Sequence, residues 1–70
     1  MNTFRQVRLK FEIDQLSALR QRIHKLRDDE DRAIAGLSPH GPGDQRVADT
    51  LSEVHAVLLV AIGKLDNARK

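Results

Sequence analysis

The chain has no cysteine, tryptophan or tyrosine, and Phe4 and Phe11 are its only large aromatic side chains. The lack of cysteine excludes disulfide bonds and thiolate metal sites. The apolar run at residues 57–62 is far shorter than the roughly 20 residues of a membrane-spanning helix, so we expect no membrane span. The first residues contain no apolar segment typical of a secretory signal peptide, so we expect a cytoplasmic protein.

The sequence also lacks the patterns that carry catalysis or cofactor binding. No glycine-rich loop follows a strand, and no nucleophile motif or HExxH metal motif occurs. His24 and His55 fall at positions b and e of the heptads described below, outside the expected contact, and no carboxylate completes a zinc set. We therefore predict a protein that is not an enzyme and that needs no metal or cofactor.

Charge is distributed unevenly along the chain, whose net charge is +2. Residues 1–27 carry seven basic and two acidic side chains, whereas residues 28–70 carry five basic and eight acidic ones. This asymmetry favours self-association or an oriented partner. Solvated helix faces and a nucleic-acid-binding face are the alternatives.

Residues 5–13 alternate between apolar and polar side chains, with the apolar ones at positions 7, 9, 11 and 13. A period of two is typical of a half-buried strand. We therefore predict that residues 1–13 form an N-terminal arm or short strand, with inclusion in the following helix as the alternative.

A heptad pattern predicts a first helix at residues 14–35. Asp14 is a suitable N-cap, and Gly36 is a suitable end because glycine adopts a left-handed C-cap without strain. Apolar side chains recur at heptad positions a and d, interrupted at a by Glu30. The a positions are Leu16, Ile23, Glu30 and Leu37, and the d positions are Leu19, Leu26 and Ala33.

Residues 36–44 contain three glycines and two prolines, which predicts a turn. A second helix is predicted at residues 45–67 with Asp44 as N-cap, although a capping box at residues 50–53 would allow a start at 51. Its a positions are Leu51, Leu58 and Leu65, and its d positions are Val47, Val54, Ala61 and Ala68.

Helices of similar length joined by a short turn predict an all-α antiparallel hairpin. We expect eight a and d side chains to hold the hairpin together. They are Leu16, Leu19, Ile23, Leu26, Leu51, Val54, Leu58 and Leu65.

The second helix has more apolar surface than one neighbouring helix covers. Around residues 57–62 it is apolar on every side, and such a helix is normally buried on every side. We predict a partner interface at Val57, Leu59, Val60 and Ile62, where a second copy or a related chain completes a four-helix bundle. The alternative is that the N-terminal segment folds back over these residues within the monomer.

The layout resembles the ESAT-6/WXG100 class of helical hairpins from bacterial type VII secretion. An apolar lead-in with an acidic residue opens the first helix at residues 7–14, a glycine-bearing turn follows, and residues 44–51 open a second amphipathic helix. The Trp-x-Gly motif of that class is absent from the turn. The resemblance implies an adaptor, chaperone or secretion-partner role, and export without a cleavable signal peptide. Small co-chaperones of type III secretion needles are similar hairpins.

The order of an alternating segment followed by two helices also resembles ribbon-helix-helix DNA-binding proteins. In that class two chains pair their N-terminal strands, and the polar face of the ribbon enters the major groove. The resemblance implies a dimeric repressor or antitoxin in which Arg8 and Lys10 contact nucleic acid.

Overall fold

The computed structural model describes residues 3–70 and contains two α-helices that pack against each other. Helix α1 spans Thr3–Ile34, and helix α2 spans Gln45–Arg69. No strand occurs within this described range. The predicted all-α hairpin is therefore confirmed.

Contacts between the helices show that they are antiparallel. At the open end, the side-chain amide of Gln6 donates to the carbonyl oxygen of Arg69 at 3.4 Å. Midway, Arg20 Nη1 donates to His55 Nε2, also at 3.4 Å. These contacts fix which residues of α1 and α2 lie at the same height.

The predicted N-terminal arm or strand is wrong for the described residues, because residues 5–13 are helical. The first two residues of that prediction lie outside the described range. A helix accommodates the alternation because residues four apart share a face. Ile13 is buried, while Val7 and Phe11 are exposed. Asp14 is correspondingly not an N-cap: it lies inside α1, where Lys10 Nζ donates to its carboxylate at 2.7 Å.

The helices touch along heptad positions a and e rather than a and d. We call this stripe the contact seam, and all of its side chains are buried or half-buried. In α1 it comprises Leu9, Ile13, Leu16, Arg20, Ile23, Arg27 and Glu30, and in α2 it comprises Ala48, Leu51, His55, Leu58, Ile62, Leu65 and Arg69.

Only some of the residues predicted to hold the hairpin together lie in the contact seam. The a residues Leu16, Ile23, Leu51, Leu58 and Leu65 lie in it. The d residues flank it: Leu19 is half-buried, and Leu26 and Val54 remain 52% and 38% exposed. The contact between these two helices is centred between positions a and e, so the d side chains lie at its margin.

Both helix ends at the turn follow the predicted chemistry. Gly36 has φ of +78°, and the N–H groups of Gly36 and Leu37 donate to the carbonyls of Ala33 and Arg32. This is a Schellman motif, which satisfies carbonyls left free at the end of α1. Asp44 accepts from the Arg46 N–H at 2.8 Å, as an N-cap does. The predicted Gly36 stop and Asp44 cap are confirmed.

The turn is also fastened to α1 by a contact that spacing did not predict. The Glu30 carboxylate accepts from the backbone N–H of Asp44 at 2.6 Å. Beside it, Gly43 lies against the backbone of α1, where an added Cβ would be 2.8 Å from the Glu30 carbonyl oxygen. The polar interruption at Glu30 is therefore the residue that ties the start of α2 to α1.

Candidate protein interface

The hairpin buries very little apolar surface on its own. Within residues 3–70, only Ile13, Ala48 and Leu58 are buried. Eleven large apolar side chains of the same range are at least 38% exposed. A folded domain of this size normally depends on a larger core.

Three of the four predicted interface residues are exposed on α2. Val57 and Val60 are 66% and 59% exposed, and Leu59 is 48% exposed. A shallow groove that includes Val57, Val60 and Ala61 follows this side of the helix. Ile62 differs because it lies half-buried in the contact seam.

The N-terminal segment does pack against α2, but it does not cover these residues. Gln6 reaches Arg69 along the contact seam, while Val57 and Val60 stay exposed. Folding back within the monomer, the alternative considered from the sequence, therefore leaves most of the predicted interface uncovered.

A second apolar patch lies on α1, turned away from α2. It consists of Phe4, Val7 and Phe11, which follow one another at intervals of three and four residues. The Arg8 guanidinium lies over the Phe4 ring, 5.7 Å from its centroid. Sequence reasoning missed this patch because the same residues fitted a strand.

The residues of the nucleic-acid hypothesis lie on a helix. Arg8 contacts Phe4, and Lys10 forms an ion pair with Asp14. Since α1 already begins at Thr3, the hairpin offers no extended segment at residues 5–13 for a β-ribbon.

Two histidines, one from each helix, lie close together near the middle of the hairpin. The rings of His24 and His55 are 5.6 Å apart between centroids, and Arg20 donates to His55. His24 also lies 3.6 Å from the Asp28 carboxylate. The expectation that His55 points away from the contact is wrong, because the e positions belong to the seam. No group of three or more metal-ligating side chains occurs within the described chain.

The two ends of the hairpin carry opposite charge. The open end, residues 3–14 and 64–70, has six basic and three acidic side chains, and the turn end, residues 27–50, has three basic and six acidic ones. At the open end, a hydrogen bond from Arg69 holds the pKa of the Asp66 carboxyl below its usual value, with Lys70 acting in the same direction.

Comparison with protein-family models, with curated proteins and with solved structures finds no match for this chain. Across residues 3–70, neither helix combines the length and the apolar character required to cross a lipid bilayer.

Proposed function

We propose that this protein is a non-enzymatic protein–protein interaction module. It acts as an adaptor, chaperone or secretion-partner subunit, in a homodimer or a heterodimer of helical chains. The observation that supports the proposal is the imbalance between three buried residues and eleven exposed large apolar side chains among the described residues.

The magnitude of this imbalance favours a partner. Covering a fully exposed valine or leucine contributes about 1.5–3 kcal/mol. Val57, Leu59 and Val60 alone therefore offer several kcal/mol when covered, which is comparable with the whole stability of a small domain.

The solution mass of the purified chain tests this proposal. Size exclusion with light scattering and refractive-index detection suits a protein without tryptophan or tyrosine. We expect either a helical dimer, or a chain that is partly unfolded or aggregates until its partner is added. A fully helical monomer with cooperative unfolding would contradict the proposal.

Val60→Asp tests the predicted surface, because the substitution places a charge on an exposed apolar site. We expect it to weaken association of the wild-type dimer or heterodimer. Asn67→Asp is the matched control, since it adds the same charge one heptad further along α2. Unchanged mass for Val60→Asp would show that the interface lies elsewhere.

A second candidate function is nucleic-acid binding as a dimeric repressor or antitoxin. The excess of basic side chains at the open end supports it, although α1 rather than a strand would have to carry the contact. If this candidate holds, Arg8→Ala with Lys10→Ala abolishes salt-sensitive duplex binding. No binding by the wild-type protein at low salt would exclude it.

A further inference from the structure

The two flanks of the contact seam differ in character. Positions d lie on one side of the a/e stripe and positions b lie on the other. Because the helices are antiparallel, the d positions of α1 and α2 emerge on the same face of the hairpin. We call this the d face, and the opposite one the b face.

The d face is apolar through most of its length, whereas the b face is polar apart from one leucine. The apolar d face comprises Leu19, Leu26, Ala33, Val47, Val54, Ala61 and Ala68, and only at the open end does it change to Arg5 and Glu12. The b face comprises Lys10, Ser17, His24, Asp31, Gln45, Ser52, Leu59 and Asp66.

This arrangement corresponds to half of a four-helix bundle. In such a bundle each helix directs a and d to the core, contacts one neighbour through a and e, and contacts the other through d and g. The a/e contact is already made within the hairpin. In α2 the unused d and g positions form a continuous stripe of small and apolar side chains, interrupted by one lysine. They are Val47, Thr50, Val54, Val57, Ala61, Lys64 and Ala68.

The charges of the hairpin are complementary to those of a second copy of this chain placed on the d face. Two copies placed face to face with opposite directions bring the basic open end of each against the acidic turn end of the other. Two copies in the same direction would instead bring like charges together at both ends. The opposite orientation is therefore favoured.

The same orientation pairs individual charges along α1. Because Arg20 contacts His55, Val57 lies near the height of Leu19, close to the middle of both helices. A two-fold axis at this height places each helix beside its own copy. Arg8 and Asp29, both at g, lie equally far from the middle of α1, so Arg8 of one copy meets Asp29 of the other.

The face is large enough for a stable dimer. The Cα atoms of the hairpin extend over 53 × 18 × 10 Å. The outline of a broad side of the hairpin is therefore on the order of 900 Å², the same order as the roughly 800 Å² of accessible surface that each partner buries in a standard interface.

We propose that two copies of this chain pair through their d faces, in opposite directions, to form a four-helix bundle. The proposal rests on the proposed function and makes it more specific: the partner is the chain itself. Of the interface predicted from the sequence, the d-face dimer keeps Val57 and leaves Leu59 and Val60 outside. It therefore differs from that interface in expecting Val60→Asp to dimerise like the wild type.

Leu26→Asp tests the face. Leu59→Asp is the comparison variant, because Leu59 belongs to the interface predicted from the sequence but lies outside the d face. Both are leucines of similar exposure, 52% and 48%, but one lies on the d face and the other on the b face. We expect Leu26→Asp to be a helical monomer where the wild type and Leu59→Asp are dimers. A wild-type chain that is not a dimer, or equal dimerisation of both variants, would overturn the inference.

Cysteine cross-linking tests the orientation. Only the introduced cysteine can react, because the natural chain has none. With a short bis-maleimide, Val57→Cys should give covalent dimer in high yield, since the two-fold axis passes near residue 57. Leu59→Cys should give little. If the hairpins pair in the same direction, α2 of one copy lies beside α1 of the other, and the two cysteines at position 57 are farther apart. Poor cross-linking of Val57→Cys would therefore refute the proposed orientation.

The results separate this inference from the proposed function. A wild-type chain that is unfolded alone but folds with another protein overturns the second-copy inference and supports the proposed function. A wild-type dimer that resists Leu26→Asp but not Val60→Asp overturns the d face as the interface and supports the proposed function. A cooperatively folded monomer contradicts both.

Discussion

Adding one methyl group at Gly43 should destabilise the hairpin substantially. A Cβ at this position would overlap the backbone nitrogen of Ile34 and lie 2.6 Å from its Cγ1 atom. The nitrogen belongs to the backbone of α1 and cannot move aside as a side chain could. The turn must therefore shift away from α1, which also lengthens the 2.6 Å hydrogen bond from the Asp44 N–H to Glu30.

Overpacking of this kind costs about 1–3 kcal/mol. For a domain of this size, each kcal/mol lowers the melting temperature by about 4–8 °C. We therefore expect Gly43→Ala to lower the melting temperature by about 8–16 °C for a loss near 2 kcal/mol. Thermal unfolding followed by circular dichroism, at equal chain concentration for every variant, measures this difference.

The same substitution at Gly63 should have the opposite effect. Gly63 lies inside α2, and nothing surrounds the position of its added Cβ within 4 Å. Alanine stabilises a helix interior by about 0.5–1 kcal/mol relative to glycine, so Gly63→Ala should raise the melting temperature. Equal melting temperatures for Gly43→Ala and wild type would refute the close approach of the turn to α1.

Three further predictions concern individual polar contacts, each measured by chemical or thermal unfolding. Asp44→Ala removes the N-cap of α2 and should cost about 1 kcal/mol, whereas Asp44→Asn should retain most of the stability. Glu30→Ala removes the acceptor for the Asp44 N–H and should cost about 1–2 kcal/mol; Glu30→Gln, which keeps an acceptor oxygen, should lose less. Asp66 has a lowered folded-state pKa because Arg69 bonds to its ionised form, so its stabilisation should be present above the usual carboxyl pKa and be lost as the pH falls through the folded-state pKa. If Asp66→Asn unfolds with the same pH dependence as wild type, that linkage is absent.

Much of the hairpin could be predicted because local chemistry determines it. The Pro/Gly-rich turn, the glycine at position 36 and the cap at Asp44 act within a few residues, and each occurs as expected. The start of α1 could not be predicted in the same way. An alternating segment satisfies a strand, but it also provides a helix with apolar residues four apart, and packing of Ile13 against α2 selects the helix.

The contact seam could not be read from the heptads alone. Positions a and d recur at intervals of three and four residues, and so do positions a and e. The periodicity therefore identifies an amphipathic helix, but it does not show which stripe of that helix a neighbour covers. The role of Glu30 could not be predicted from the sequence for a different reason. Its partner is a backbone N–H across the turn, which no side-chain pattern reveals.

The order in which contacts close along the hairpin follows from its single short turn. The bond from Asp44 to Glu30 joins residues 14 apart in sequence, whereas the bond from Gln6 to Arg69 joins residues 63 apart. Closing the longer loop first would cost about 1.3 kcal/mol more in chain entropy, because each doubling of loop length adds about 0.6 kcal/mol. We therefore expect the helices to close from the turn outwards and local opening to begin at the other end. On this reasoning, the open end with Phe4, Val7 and the basic side chains around them should separate from α2 most readily.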